Sequence, residues 1–131
     1  MKNHLLFIIS EVIRFLYKKF LQPICFQIFP ETIHDSIVAL GGFLGKYSIL
    51  RQITAFLFNY SNKKLEQNIL GIKFKNPIGL AAGFDYEAKL TNIIPKVGFG
   101  FQAIGSITLN SYEGNPPPRL ARLPKSKSLL V

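Results

Sequence analysis

Small residues in two short runs carry most of the chemistry this 131-residue chain can offer. The first run is Asn76-Pro-Ile-Gly-Leu-Ala-Ala-Gly-Phe-Asp85; the second is Gly98-Phe-Gly-Phe-Gln-Ala-Ile-Gly-Ser106. Ala81, Ala82 and Gly83 have almost no side chain, so a flat ring can approach their backbone and hydrogen-bond to it. Gly105-Ser106 offers the same closeness and adds a hydroxyl. If each run is a strand followed by its exit, both sites fall at carboxyl ends of parallel strands, where β/α folds hold cofactors. Neither GxGxxG nor a P-loop is present, so close helix–strand packing stays open as the alternative for each run alone, and two such strand ends in one unit weigh against it.

Other chemistry is thin. One cysteine, Cys25, excludes an intrachain disulfide, and its neighbours Pro23, Ile24, Phe26 and Ile28 suggest a thiol in apolar packing. His4 and His34 have no second ligand at a metal-site spacing, so no metal is expected. Arg119 and Arg122 straddle Leu120-Ala121 after three consecutive prolines, a pattern suited to a surface hairpin with solvated arginines.

The elements that must position the strand ends follow from periodicity. Residues 5–62 predict three or four helices, with Val12, Phe15, Leu16 and Tyr17 at helical spacing and Arg14, Lys18 and Lys19 between them. Pro23 marks a kink or boundary. Pro30-Glu31-Thr32 opens a new helix with proline at N1, striped by Ile33, Ile37 and Leu40 and expected to end at Gly41-Gly42. A further apolar helix covers 48–60. Lys63-Lys64 begins a polar linker, and Gly71 separates two short strands at Ile69-Leu70 and Ile72–Phe74. Ile78–Ala82 reads as a strand buried on both faces. Asp85 is placed to cap a helix over Tyr86–Lys96, whose buried side is Leu90, Ile93, Ile94 and Val97. Phe101–Ile104 is the next strand, which completes one parallel, right-handed βαβ unit.

Composition narrows the partners. Apolar residues make up 48% of the chain and charged residues 18%, below the roughly 25% of an ordinary soluble domain. Such a surplus of apolar surface needs cover. The net charge of +9 is spread evenly, with eight Lys/Arg against three Asp/Glu in 1–64 and eight against four in 65–131. No run of Lys/Arg exceeds two, which argues against nucleic acid and suits an anionic lipid surface. The first ten residues imitate a signal peptide, but Glu11 and Arg14 follow at once. Within the helical region the longest uncharged runs, 20–30 and 52–62, have 11 residues each, short of the ~20 a spanning helix needs. Two readings of the helical unit stay open: a layer packed on the downstream domain, or a membrane-facing cap for an apolar substrate.

Taken together, Asn76–Asp85, Gly98-Phe-Gly100, Ile104-Gly-Ser-Ile-Thr108, Glu113-Gly-Asn-Pro-Pro-Pro-Arg119 and Arg122-Leu-Pro124 closely resemble class 2 dihydroorotate dehydrogenase. Pro30-Glu31-x-x-His34, preceded by Phe20-Leu-Gln-Pro23, resembles the helical extension that sets class 2 apart from the soluble class 1 enzymes. The resemblance implies an α/β fold: an N-terminal helical, membrane-associated cap over 1–64, then the hairpin and first βαβ unit of an FMN-binding (β/α)₈ TIM barrel over 65–131. A chain of this length falls short of the roughly 250 residues of such a barrel, so it is expected to be an N-terminal fragment.

The implied activity belongs to the full-length parent. It is oxidation of dihydroorotate to orotate, with electrons passing through FMN to a quinone, in pyrimidine biosynthesis. The alternative is a non-catalytic, membrane-binding helical module with an incomplete barrel. By motif, Ala81, Ala82, Gly83 and Ser106 are expected to line FMN, and Cys25, His34 and Arg122 to lie near the quinone tunnel. The family's catalytic serine and FMN-phosphate strands are expected beyond Val131. Where most members carry a lysine that meets the flavin and the substrate carboxylate, this chain has Tyr86, the expected substrate contact. The implied location is peripheral, on the cytoplasmic side of a bacterial cell membrane.

Overall fold

A computed structural model describes the backbone of residues 2–131 and the side chains of residues 6–131. Its N-terminal half is helical. Helix α1 (Lys2–Leu16) runs into a π-helical turn at Tyr17–Leu21 and then α2 (Gln22–Gln27). The Gln22 amide bonds back five residues to the Tyr17 carbonyl. Pro23 explains the wide turn. It has no N–H, and its ring would collide with the carbonyl four residues earlier in a regular helix.

Helix α3 (Pro30–Lys46) starts with Pro30 at N1 and Glu31 in the first turn, as expected, and Phe29 gives it no side-chain cap. It does not stop at Gly41-Gly42. Both glycines lie inside the helix, and Gly41 and the later Gly45 face a neighbour at close range: a Cβ on Gly41 would stand 2.4 Å from Leu90 Cδ2, and one on Gly45 3.3 Å from Asn92 Cβ. Helix α4 (Ser48–Phe58) follows after Tyr47, and Arg51 Nη1 donates to the Gly45 carbonyl at 2.7 Å.

Strands β1 (Gln67–Ile69) and β2 (Ile72–Phe74) form an antiparallel hairpin, with Ile69 opposite Ile72. The two turn residues, Leu70 and Gly71, both have positive φ (51° and 80°), the left-handed pair a two-residue hairpin demands. Phe74 rests edge-on against Phe101, with ring centroids 5.4 Å apart. This contact ties the hairpin to the next unit.

Strands β3 (Gly79–Leu80) and β4 (Phe101–Gln102) pair in parallel, Gly79 opposite Phe101 and Leu80 opposite Gln102. They are shorter than the runs 78–82 and 101–104. Hydrogen bonds extend the ladder at both ends, from Gly100 N to Ile78 O (2.8 Å) and from Ala103 N to Leu80 O (2.9 Å). Buried Asn76 holds the entry: its amide donates to Gly98 O at 2.9 Å and its side-chain oxygen accepts from Ile78 N at 3.0 Å.

Between these strands the expected helix over 86–96 is absent. The segment is a series of turns with one 3₁₀ turn at Ile94–Lys96. Ala88 sits at φ 59°, a left-handed conformation that breaks a right-handed helix. Pro95 withholds an N–H in the last turn. The buried set nevertheless matches. Leu90, Ile93 and Ile94 form the core, with Val38, Leu44, Leu80, Phe84, Val97 and Phe99 against it. Bonds from Ile94 N to Leu90 O and Val97 N to Ile93 O preserve the four-residue spacing.

The C-terminal hairpin pairs β5 (Ala121–Leu123) with β6 (Ser128–Leu130). Among the described residues each sheet has only two strands.

Candidate functional site

The two strand ends meet. After β3 the chain makes a 3₁₀ turn at Ala82–Phe84; after β4 it passes through Gly105. A Cβ on Gly105 would lie 2.7 Å from the Ala82 carbonyl oxygen and 3.1 Å from Tyr86 Cδ1. Glycine is therefore required for the two exits to close, and Gly105 N donates to Asp85 O at 3.3 Å. Ala81, Gly83 and Ser106 stay exposed on the same rim. A Cβ on Gly83 would meet only the Tyr86 hydroxyl, 4.0 Å away.

Asp85 is the anchor of this rim. It is 1% exposed, and its carboxylate accepts from Lys89 N (2.9 Å), Leu90 N (2.9 Å) and Gln102 Nε2 (2.5 Å). The expected cap is thus present, but it grips amides four and five residues on instead of starting a helix at Tyr86. Gln102, which no sequence pattern singles out, links the anchor to β4. A buried carboxylate with three donors is stable where an unpartnered one would cost several kcal/mol.

Tyr86 is half-exposed on the rim. The nearest cation in the segment, Lys89, is engaged elsewhere: its ammonium lies 2.5 Å from Glu87 Oε2, and that hydrogen bond raises the lysine pKa.

His34 of α3 reaches this rim. Its Nε2 lies 2.8 Å from the Phe84 carbonyl oxygen, and its ring stands edge-on to Phe84 (5.2 Å between centroids) and to Tyr86 (6.4 Å). Nδ1 lies 3.2 Å from the Asp35 carboxylate.

Cys25 and Arg122 form a second cluster. Arg122 Nη2 donates to Cys25 O (3.0 Å) and Nη1 to Phe26 O (3.3 Å) and Ile28 O (2.5 Å). The guanidinium also lies over the Phe26 ring, 4.9 Å from its centroid. It thus adds a donor to carbonyls at and just past the end of α2, favourable for a cation at that terminus. The arginines of this hairpin are not simply solvated. Arg119 turns to Glu31, whose carboxylate accepts its backbone N–H at 3.2 Å. The Cys25 thiol is partly buried and free.

Two open clefts are lined by other residues. One, lined by Leu6, Phe7, Ile13, Leu57 and Phe58, lies between α1 and α4; the other separates the start of α3 from Pro117–Leu120. Cys25, His34 and Arg122 line neither. No group of three His, Cys, Asp or Glu among the described residues could hold a metal, and the side chain of His4 lies outside those residues. No helix of the described residues is long and apolar enough to cross a membrane.

A helical segment followed by a hairpin and a parallel pair with small-residue exits is the opening of an α/β, barrel-like fold. Comparison with known proteins makes the class specific. A family profile described as dihydroorotate dehydrogenase matches residues 64–130. A protein of Acaryochloris marina named dihydroorotate dehydrogenase (quinone) is 39% identical over 124 residues, 88% of this chain and 33% of the relative. A protein of Christiangramia forsetii with the same name is 38% identical over 118 residues, 88% of this chain and 34% of the relative. Among solved structures, Eimeria tenella DHODH in complex with ferulenol superposes with a TM-score of 0.59 at 37% identity, covering 74% of this chain and 24% of the other. The ligand-free form gives 0.58, covering 73% and 24%. The chain belongs to the dihydroorotate dehydrogenase family, and it spans about a third of the length of the curated relatives it matches.

Proposed function

We propose that this chain supplies the helical layer and the first cofactor-facing rim of an enzyme that oxidises dihydroorotate to orotate and reduces a quinone, in de novo pyrimidine synthesis. The observation that carries the reading is the meeting of two small-residue strand exits on one rim with His34 of the helical layer docked against it.

The rim suits a flat cofactor. The space beside Gly83 is open, and Ala81, Ala82 and Ser106 present only backbone and one hydroxyl. We assign these four residues to FMN, which when bound accepts a hydride from the pyrimidine ring and passes electrons to a quinone. Their role is to hydrogen-bond the ring edge and keep it against the strand ends. Tyr86 is assigned to the substrate side, where its phenol can donate a hydrogen bond but brings no positive charge. Asp85 fixes the rim without touching either ligand, since its oxygens are occupied by protein donors. No residue of this chain is assigned as the base that removes the substrate proton.

The oxidant side is assigned to the helical layer, with Cys25, His34 and Arg122 in its wall. Phe7, Val12, Phe15, Phe20, Leu21 and Ile24 are exposed along α1, the π-turn and α2, with Lys18 and Lys19 among them. That pairing of apolar and cationic side chains supports peripheral association with the cytoplasmic face of a cell membrane.

A chimera tests the reading. The chain is joined to the remaining two-thirds of the Acaryochloris marina relative in place of that protein's own segment. Bound flavin, seen by its visible absorption, and quinone-dependent orotate formation are the expected outcome. A folded chimera with neither refutes the assignment.

A further inference from the structure

The contact between His34 and Phe84 joins residues 50 positions apart and, among the described residues, is the only side-chain hydrogen bond from α3 to the turn that forms the rim. A carbonyl oxygen can only accept, so the 2.8 Å approach requires a proton on Nε2. The Phe84 carbonyl ends the 3₁₀ turn Ala82–Phe84, which its own N–H closes on Ala81 O, and immediately precedes the Asp85 anchor. The ring is also confined sideways, by Phe84 and Tyr86 edge-on, and its side chain is only 20% exposed. Further along α3, Gly41 and Gly45 pack on Leu90 and Ile93, so the helix is seated on the same loop from one end to the other. At the rim end, His34 is the polar fastening.

From this geometry we infer that His34 is a positioning residue for the cofactor rim: its Nε2–H, held by the Phe84 carbonyl, fixes the turn 82–84 and with it the place of Gly83 and Tyr86. The inference rests on the rim assignment above but gives His34 a different task from lining an oxidant path. The ring belongs at once to the helical layer and to the strand exit, so the two sites share a wall. Losing the bond leaves the helix folded and the rim loose, because the turn has few fixings of its own: Phe84 N reaches Ala81 O at 3.3 Å, a long bond.

The test uses the 131-residue chain with two substitutions. His34→Gln keeps an N–H donor at comparable reach; His34→Leu keeps bulk without a donor. Amide hydrogen exchange is read at Phe84, Lys89 and Leu90, with Ile37 and Leu40 of α3 as internal controls. His34→Leu is expected to speed exchange at the three rim amides about fivefold to tenfold, consistent with loss of one net hydrogen bond, and to leave the controls unchanged. His34→Gln is expected to restore most of the protection. The imidazole nitrogen shifts of the wild-type chain should report a protonated Nε2. Equal exchange in all three proteins overturns the inference, as does absent protection in the wild type or an Nε2 without a proton. Equal loss in both variants overturns it too, by showing that ring packing alone matters. Flavin retention in the chimera is a separate readout: a flavin-free chimera refutes the cofactor assignment and leaves the exchange result standing.

Discussion

At the level of single residues, Tyr86 is the informative departure. Its ring lies 3.1 Å from where a Gly105 Cβ would be, and its hydroxyl is the nearest atom to the open side of Gly83. A neutral donor thus occupies the rim position where most family members, by the resemblance, carry a cation. Lys89, in the same segment, pairs with Glu87 instead. A charge-assisted hydrogen bond is worth roughly 1.5–3 kcal/mol against about 1 for a neutral one, or about tenfold in affinity when geometry permits. In the chimera, Tyr86→Lys is expected to lower the KM for dihydroorotate or leave it unchanged, and Tyr86→Phe to raise it several-fold. Steady-state kinetics decide. If Tyr86→Lys expels the flavin while Tyr86→Phe is silent, the residue is packing and not a substrate donor. Arg122 illustrates the opposite lesson. Its spacing suits a solvated surface arginine, yet it fastens the C-terminal hairpin to the end of α2 through three carbonyls.

At the level of elements, the seat of α3 on the loop 85–94 sets the distance between helical layer and rim. Two adjacent glycines separate the effects of propensity and packing. Gly42 has ordinary clearance, with Lys89 O 3.7 Å from a built Cβ, so Gly42→Ala should gain helix propensity and stabilise by up to about 1 kcal/mol. Gly41→Ala gains the same propensity but drives a methyl to 2.4 Å from Leu90 Cδ2, and Leu90 is 2% exposed in the core. Overpacking costs about 1–3 kcal/mol, so Gly41→Ala should be net destabilising. Urea midpoints of the two variants check the pair; equal shifts would show that α3 does not sit closely on Leu90. The expected helix over 86–96 fails at this same scale. Its apolar spacing is helical, but Ala88 and Pro95 interrupt the backbone, and the Asp85 carboxylate binds amides that a helix would have used internally.

For the whole molecule, apolar exposure governs behaviour. Only Leu90, Ile93 and Ile94 are buried apolar residues among those described, whereas Phe15, Phe20, Leu21, Ile24 and Phe26 lie open around the π-turn with Lys18 and Lys19. An amphipathic surface of this kind partitions into an anionic interface, and the Lys/Arg contribution weakens with salt. The chain is expected to float with vesicles containing anionic phospholipid, less with neutral vesicles, and less again when Lys18 and Lys19 are both changed to Gln. Equal recovery in the soluble fraction with every vesicle type would favour the plain packing role of the helical layer.

The sequence alone determined most of the elements and their order, the helix expected over 86–96 excepted. Helical periodicity before residue 62, the two-residue turn at Leu70-Gly71, and continuous apolar runs around Ile78 and Phe101 are local patterns, and local patterns record which segments fold; they did not record burial around the parallel pair, where Ile78 and Phe101 are exposed rather than buried. The core residues Leu90, Ile93 and Ile94 and the capping role of Asp85 were legible for the same reason. Only the tertiary structure decided where α3 ends, because glycines that look like a stop become contact surface once Leu90 lies against them. It alone separated His34 from Cys25 and Arg122, placing the first at the rim and the other two at the end of α2. It alone supplied Gln102 and the Phe84 carbonyl as partners. Long-range hydrogen bonds join residues whose separation in the chain leaves no periodic trace, so their pairing follows from packing and from nothing shorter in range.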